Sequence, residues 1–187
     1  FFGGYCYHEQ NKKEDIHIIL DGVFNHTGSN SIYFNKDGEY DSVGAYQSKE
    51  SEFYNWYNFE EWPDKYESWW GIKTLPGVNE ESESYRDYIL RNEDSVVKHW
   101  LKAGASGWRL DVVDELTNYM LYRISKSIKE EESFGQKASV IGEVWEDVST
   151  KEAYGERKHY FTHNTLDSAM NYVYKDALFA FFETQNA

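Results

Sequence analysis

Apolar residues recur along this chain with two different periods, and the switch between them sets out its elements. Ile16 to Leu20, inside DIHIILDGVFNH (15–26), form a short apolar run of the kind that makes a strand buried on both faces. In ESYRDYILRNEDSVVKHWLKAG (83–104) the period becomes helical. Tyr85, Ile89, Val96 and Trp100, with Tyr88, Val97 and Leu101 beside them, share one stripe, and Gly104 is placed to end it. GWRLDVV (107–113) reads as a second strand, NYMLYRISKSIKE (118–130) as a second helix and ASVIGEVW (138–145) as a third strand. TLDSAMNY (165–172) reads as a fourth strand, ahead of a helix at YKDALFAFF (174–182). Strands alternating with helices predict an α/β fold, a parallel sheet joined by crossover helices. Between Thr27 and Asn79 the periodicity lapses, Tyr, Trp, Ser, Asn and Gly dominate, and both prolines, Pro63 and Pro76, fall here. An aperiodic stretch of that length is either a functional loop or a small inserted subdomain.

Composition narrows the picture. A chain of 187 residues buries one core, and 40% hydrophobic with 18% aromatic residues make it globular. Nineteen basic against 33 acidic residues give a net charge of −14, which disfavours nucleic acid and anionic lipid as partners. Cys6 is the single cysteine, so neither a disulfide framework nor a cysteine metal cage is expected. No apolar run reaches membrane-spanning length, no stretch reads as a signal peptide, and the compartment stays open. The chain opens on FFGGYCYHEQ and closes on FFETQNA without polar tails, as a portion of something longer would.

Parallel strands carry their chemistry at their carboxyl ends. Asp21, Asn25 and His26 follow the first apolar run, Arg109 and Asp111 lie toward the end of the second strand, and Glu143 near the end of the third. No glycine-rich nucleotide loop follows any strand. Arg109 and Asp111 have the same parity, so their side chains point the same way. Two readings fit: an Arg–Asp ion pair beside an unrelated glutamate, or two carboxylates facing each other across a cleft. Carboxylates about 5 Å apart act on a glycoside as nucleophile and acid/base with retention. In that reading Asp111 stays ionised, helped by the nearby guanidinium, while Glu143 holds a proton in a drier site to which Trp145 contributes. Trp56, Tyr57, Trp62, Trp69 and Trp70 suit either sugar stacking or the core of the insert.

DGVFNH (21–26), GWRLDVVDE (107–115) and GEVWED (142–147) resemble three conserved regions of the α-amylase superfamily, glycoside hydrolase family 13, in that family's order. LPGVN (75–79) is similar to a further region of the family, and the resemblance, resting on these four motifs in register, spans nearly the whole chain. The resemblance implies a partial (β/α)₈ TIM barrel, about strands 3 to 6. Residues 1–187 would then be a partial catalytic domain, with 27–79 a loop subdomain inserted after the first of these strands. It implies Asp111 as nucleophile, Glu143 as general acid/base and Arg109 as the residue orienting the nucleophile. His26 would hydrogen-bond the glucose ring, and Asp21 would support the hydrogen-bond network. Trp145, Glu115 and Asn79 complete the substrate-binding candidates. The one metal it brings is a structural calcium through Asn25; no cofactor is required for the reaction.

Two departures from the family pattern matter. The third family carboxylate, in an N-H-D-type motif, is not found after Glu143; THNTLD (162–167) and KHY (158–160) do not fit, so the isolated chain is expected to be inactive. Asp114-Glu115 stands where starch-cutting members often have Lys-His, and Val-Val-Asp-Glu is closer to neopullulanases and cyclomaltodextrinases. The implied function is a retaining α-glucan hydrolase acting on α-1,4 and also α-1,6 bonds of pullulan, cyclodextrins or short maltooligosaccharides. A glucanotransferase or branching enzyme of the family, or a non-catalytic sugar-binding barrel segment, are the alternatives. Unpaired outer strands of such a barrel would drive self-association.

Overall fold

The computed structural model describes residues 13–133 and 135–184; Cys6 and His8 lie outside them. The chain divides into two compact units, one running to Gly22 and resuming at Val97, the other Val23–Val96.

The first unit is built on four strands, β1 (Ile19–Gly22), β2 (Gly107–Leu110), β3 (Ser139–Gly142) and β4 (Ser168–Ala169), side by side in that order. All three pairings are parallel, and the register sets Asp21 opposite Arg109, Arg109 opposite Ile141, and Ile141 opposite Ser168. The ladder runs one residue past the strand ends: the Asp111 amide donates to the Gly22 carbonyl and the Glu143 amide to the Leu110 carbonyl, each at 2.9 Å. Three helices accompany the sheet: α1 (Val96–Lys102), α2 (Asn118–Lys129) and α3 (Tyr172–Thr184).

The pleat of β2 and β3 turns Trp108, Leu110 and Val140 to one side, where all three are buried. Helix α2 packs on β3 and buries Met120, Leu121, Ile124 and Ile128, a stripe at helical spacing. Burying each of these side chains stabilises the unit by about 1.5–3 kcal/mol. Thr117 caps the helix, its hydroxyl oxygen accepting the Met120 amide at 3.1 Å. Helix α1 stops at Gly104, whose φ of 111° no side-chain-bearing residue adopts readily, and the Ala105 amide closes back on the Trp100 carbonyl at 3.0 Å. The connection from β3 to β4 holds no α-helix. It contains a hairpin, Glu152–Ala153 paired with Glu156–Arg157, and a 3₁₀ turn at Thr162–Asn164. Buried Lys129 tethers it, donating to the Asn164 carbonyl at 3.0 Å and pairing with Asp167 at 2.8 Å.

Two local expectations change. The apolar run before Asp21 is not covered on both faces: Ile16 is 52% and Ile19 38% exposed. Among the described residues β1 is an edge strand, paired on one side only. The helix expected over 83–104 is broken. One α-turn (Glu83–Arg86) runs into a π-turn (Asp87–Arg91), the backbone leaves the helix at Asn92 with ψ 152°, and α1 starts afresh at Val96. The intervening polar run, Asn92 to Ser95, forms its own turn, the Ser95 amide donating to the Asn92 carbonyl, as short polar residues do in competition with a helix.

The second unit is held by aromatic rings. Phe34, Trp56, Tyr57, Tyr66 and Tyr85 are all buried. Phe34 meets Tyr57 and Tyr66 edge-on at 4.8 Å, and Trp56 meets Tyr85 at 5.2 Å. Trp56 and Tyr57 are therefore core. Trp70 is exposed and stacks on Trp69, which in turn stacks on His26.

Candidate active site

The register of the sheet builds the polar cluster. Asp21 and Arg109 are lateral neighbours on β1 and β2, and Asp111 and Glu143 follow at the carboxyl ends of β2 and β3. Arg109 is the hub. One terminal nitrogen, Nη1, reaches Asp21 Oδ1 at 2.7 Å and Asp111 Oδ1 at 2.6 Å, and the other, Nη2, reaches Glu143 Oε1 at 2.7 Å. One guanidinium thus serves three carboxyl groups from three strands. Asp21 is the open member, whereas the Glu143 side chain is only 8% exposed.

Glu143 has further donors. Its Oε2 accepts the Val112 amide at 3.1 Å, its Oε1 accepts the Tyr172 hydroxyl at 3.0 Å, and the Trp145 side chain also hydrogen-bonds it. The Val112 amide is aimed by an unusual backbone: φ 37° and ψ 60°, left-handed in a β-branched residue, a conformation that costs on the order of 1–3 kcal/mol. Gly142 is fixed by contact: a Cβ there would lie 2.4 Å from Leu166 Cδ1 and 3.2 Å from Val113 Cγ2. A side chain at that point would force the Leu166 methyl to move, just before the chain delivers Glu143 to the cluster.

Asp111 and Glu143 meet on the same guanidinium, close enough for one carboxyl to bear on the titration of the other. Burial pushes the Asp111 carboxyl above its ordinary range, with the adjoining Glu143 adding to it and Arg109 opposing. Burial acts to raise Glu143 too, but the hydrogen bonds from Trp145, the Val112 amide and Tyr172, together with Arg109, outweigh it and hold the carboxyl below its usual range. The two shifts thus run in the directions opposite to those expected, Asp111 raised and Glu143 lowered. The guanidinium expected to favour ionised Asp111 alone also reaches Glu143, and Glu143 collects the donors.

The structure brings Asp21, Arg109, Asp111, Glu143 and Trp145 together. Asn25, His26 and Asn79 belong to the other unit. There, His26 Nδ1 lies 2.9 Å from Asn25 Oδ1, and the Asn79 side chain closes a turn, accepting the Glu81 amide at 3.0 Å. Glu115 lies in the loop after β2, where its carboxylate accepts the Tyr154 hydroxyl. For calcium, Asn25 brings one side-chain oxygen, already facing His26. Among the described residues no three His, Cys, Asp or Glu side chains converge as metal ligands. A hard cation also takes amide and backbone carbonyl oxygens, and Asn25 is the candidate donor of that kind. Sequence reasoning missed Tyr172 and the Val112 amide. Tyr172 follows the carboxyl end of β4, so the strand-end rule that picked out Glu143 reaches it as well; the Val112 backbone left no mark in the sequence.

Residues 7–187 match the family described as the α-amylase catalytic domain. An amylopullulanase of Thermoanaerobacter thermohydrosulfuricus is 32% identical over 188 residues, covering 89% of this chain and 12% of its own length. Neopullulanase 2 of Thermoactinomyces vulgaris is 26% identical, covering 92% of this chain and 27% of its own. The chain thus spans about an eighth to a quarter of these relatives. Among solved structures, the cyclic α-maltosyl-(1→6)-maltose hydrolase of Arthrobacter globiformis superposes with a TM-score of 0.74 at 22% identity, over 95% of this chain and 36% of that one.

Proposed function

Since this chain belongs to the α-amylase catalytic-domain family, we propose that it carries the nucleophile and the acid/base of a retaining α-glucan hydrolase, on strands 3 to 6 of a (β/α)₈ barrel. One observation carries the reading: at the ends of adjacent strands, Asp111 and Glu143 are both held by the Arg109 guanidinium, at 2.6 Å and 2.7 Å. Inverting pairs stand roughly 6.5–9.5 Å apart to admit a water, whereas retaining pairs are close.

The reaction then proceeds in two displacements. The Asp111 carboxylate attacks the anomeric carbon and forms a glycosyl ester, while Glu143 gives its proton to the departing glycosidic oxygen. Glu143 next takes a proton from water, whose oxygen attacks the anomeric carbon and releases Asp111. Arg109 stabilises the anion before attack and after release, and Asp21 holds the guanidinium in place. The names amylopullulanase and neopullulanase of the relatives favour pullulan-type glucans, with α-1,4 and α-1,6 bonds, as substrate.

The test uses the full-length protein that contains this chain. Asp111→Asn and Glu143→Gln are each expected to lower kcat on pullulan by about 10³-fold or more, and the newly released sugar is expected to be the α-anomer by NMR. A β-anomer product, or variants with near-native turnover, would overturn the proposal.

A further inference from the structure

We propose that Val112 is a positioning residue for the proton donor: a bulge just after the nucleophile diverts a backbone amide from the sheet to the Glu143 carboxyl. This rests on the hydrolase reading above. In a parallel ladder a residue donates its amide to one carbonyl of the neighbouring strand. Its own carbonyl then accepts the amide two residues further along that strand. Glu143, which follows the Leu110–Gly142 pair, obeys the first half: its amide donates to the Leu110 carbonyl at 2.9 Å. A regular ladder would next bring the Val112 amide to the Glu143 carbonyl. It is the Val113 amide that arrives there, at 3.1 Å. The strand end has taken in one extra residue, and the amide so released, that of Val112, donates to Glu143 Oε2 at 3.1 Å.

The extra residue is accommodated by the left-handed turn at Val112, φ 37° and ψ 60°, a conformation that bulges ordinarily give to glycine. A branched Cβ disfavours it, yet the Val112 side chain is buried, so the packing around it keeps the backbone in the strained well. The far side of the bulge is closed as well. Val113 is fully buried, and the Glu115 amide returns to the Val112 carbonyl at 2.9 Å. Consecutive amides therefore fix Glu143 at both ends, Val113 at its carbonyl and Val112 at its carboxyl. Arg109 and Tyr172 reach Oε1 while Val112 reaches Oε2, so the carboxyl is gripped at both oxygens and its plane is set. Both amides belong to the strand end that carries Asp111. A nucleophile and a proton donor that must meet one glycosidic bond gain from such a common support, because small misplacements of either are costly.

Replacing Val112 by its α-hydroxy acid turns the amide into an ester, which deletes this one N–H and keeps the side chain. Two substrates then separate positioning of the donor from general damage. Maltotriose needs a proton on its departing oxygen, whereas the fluoride of α-glucosyl fluoride departs without one. In the full-length protein, the ester is expected to lower kcat/KM on maltotriose roughly 10-fold and to leave α-glucosyl fluoride within about 2-fold. The limb of the maltotriose pH profile that reports loss of the acid's proton is expected to move to higher pH, since a donor to the charged carboxylate is gone. If the ester protein fails to fold, Val112→Gly, which frees the backbone to leave the left-handed well, should show the same selective loss. Equal losses on both substrates, or an unchanged maltotriose rate with an unmoved limb, would overturn the assignment while the wild type still turns over. A wild-type protein inert toward both would instead overturn the hydrolase reading beneath it.

Discussion

One guanidinium set against three carboxyl groups makes the titration of Asp111 and Glu143 depend on their other donors. Tyr172 is one of these, because its hydroxyl favours the ionised form of Glu143. Tyr172→Phe removes a donor to the charged state, so the Glu143 pKa rises. In the pH profile of kcat/KM, the limb reporting loss of the acid's proton should move to higher pH, by up to about one unit. An unmoved limb would show that Tyr172 does not set the acid. Stability carries the same signature with the opposite sign for each partner. The depressed Glu143 contributes stability above its ordinary value of 4.5 and loses it as pH falls through the folded pKa. The raised Asp111 favours the fold at acid pH and costs stability as pH climbs past its ordinary value of 3.8. At this scale the parity of Arg109 and Asp111 was legible, since a strand's alternation is local. The direction of each pKa was not, because it depends on donors from β3, β4's end and a left-handed Val112.

The crossover elements position these residues more than they touch them. Helix α2 joins β2 to β3, and its capped N-terminus follows the turn that carries Glu115. Thr117→Ala should cost about 1 kcal/mol in denaturant unfolding, whereas Thr117→Ser should cost much less, because Ser keeps the oxygen that accepts the Met120 amide. Equal stability of Ala and Ser variants would remove the cap from the account. Strong periodicity made α2 and the four strands readable from sequence. The break at Asn92 was hidden because the apolar stripe continues on either side of it, and only the polar run between hinted that two helical segments meet there. The exposure of Ile16 and Ile19 was equally hidden: an apolar run reports an affinity for cover, not the presence of it.

For the molecule as a whole, the net charge of −14 coexists with a large apolar face. Helix α3 presents Val173, Leu178, Phe179, Phe181 and Phe182 to solvent, with Phe182 72% exposed. Contiguous apolar surface of this kind is rare on soluble monomers. The 187-residue chain produced alone should self-associate at micromolar concentration in sedimentation, and Phe179→Ser with Phe182→Ser should shift it toward monomer; a wild-type monomer throughout would refute this. Four short motifs made the family readable, and the lapse of periodicity between Thr27 and Asn79 was legible too, whereas no change of composition marks the unit bounds at Gly22 and Val97. The Arg109 hub, finally, bears on how this cleft can be redesigned. A change at Asp21, Asp111 or Glu143 alters the field felt by the remaining two through the same two nitrogens. Paired substitutions there will depart from the sum of the single ones, and a library that varies one position at a time will miss the combinations the cluster can tolerate.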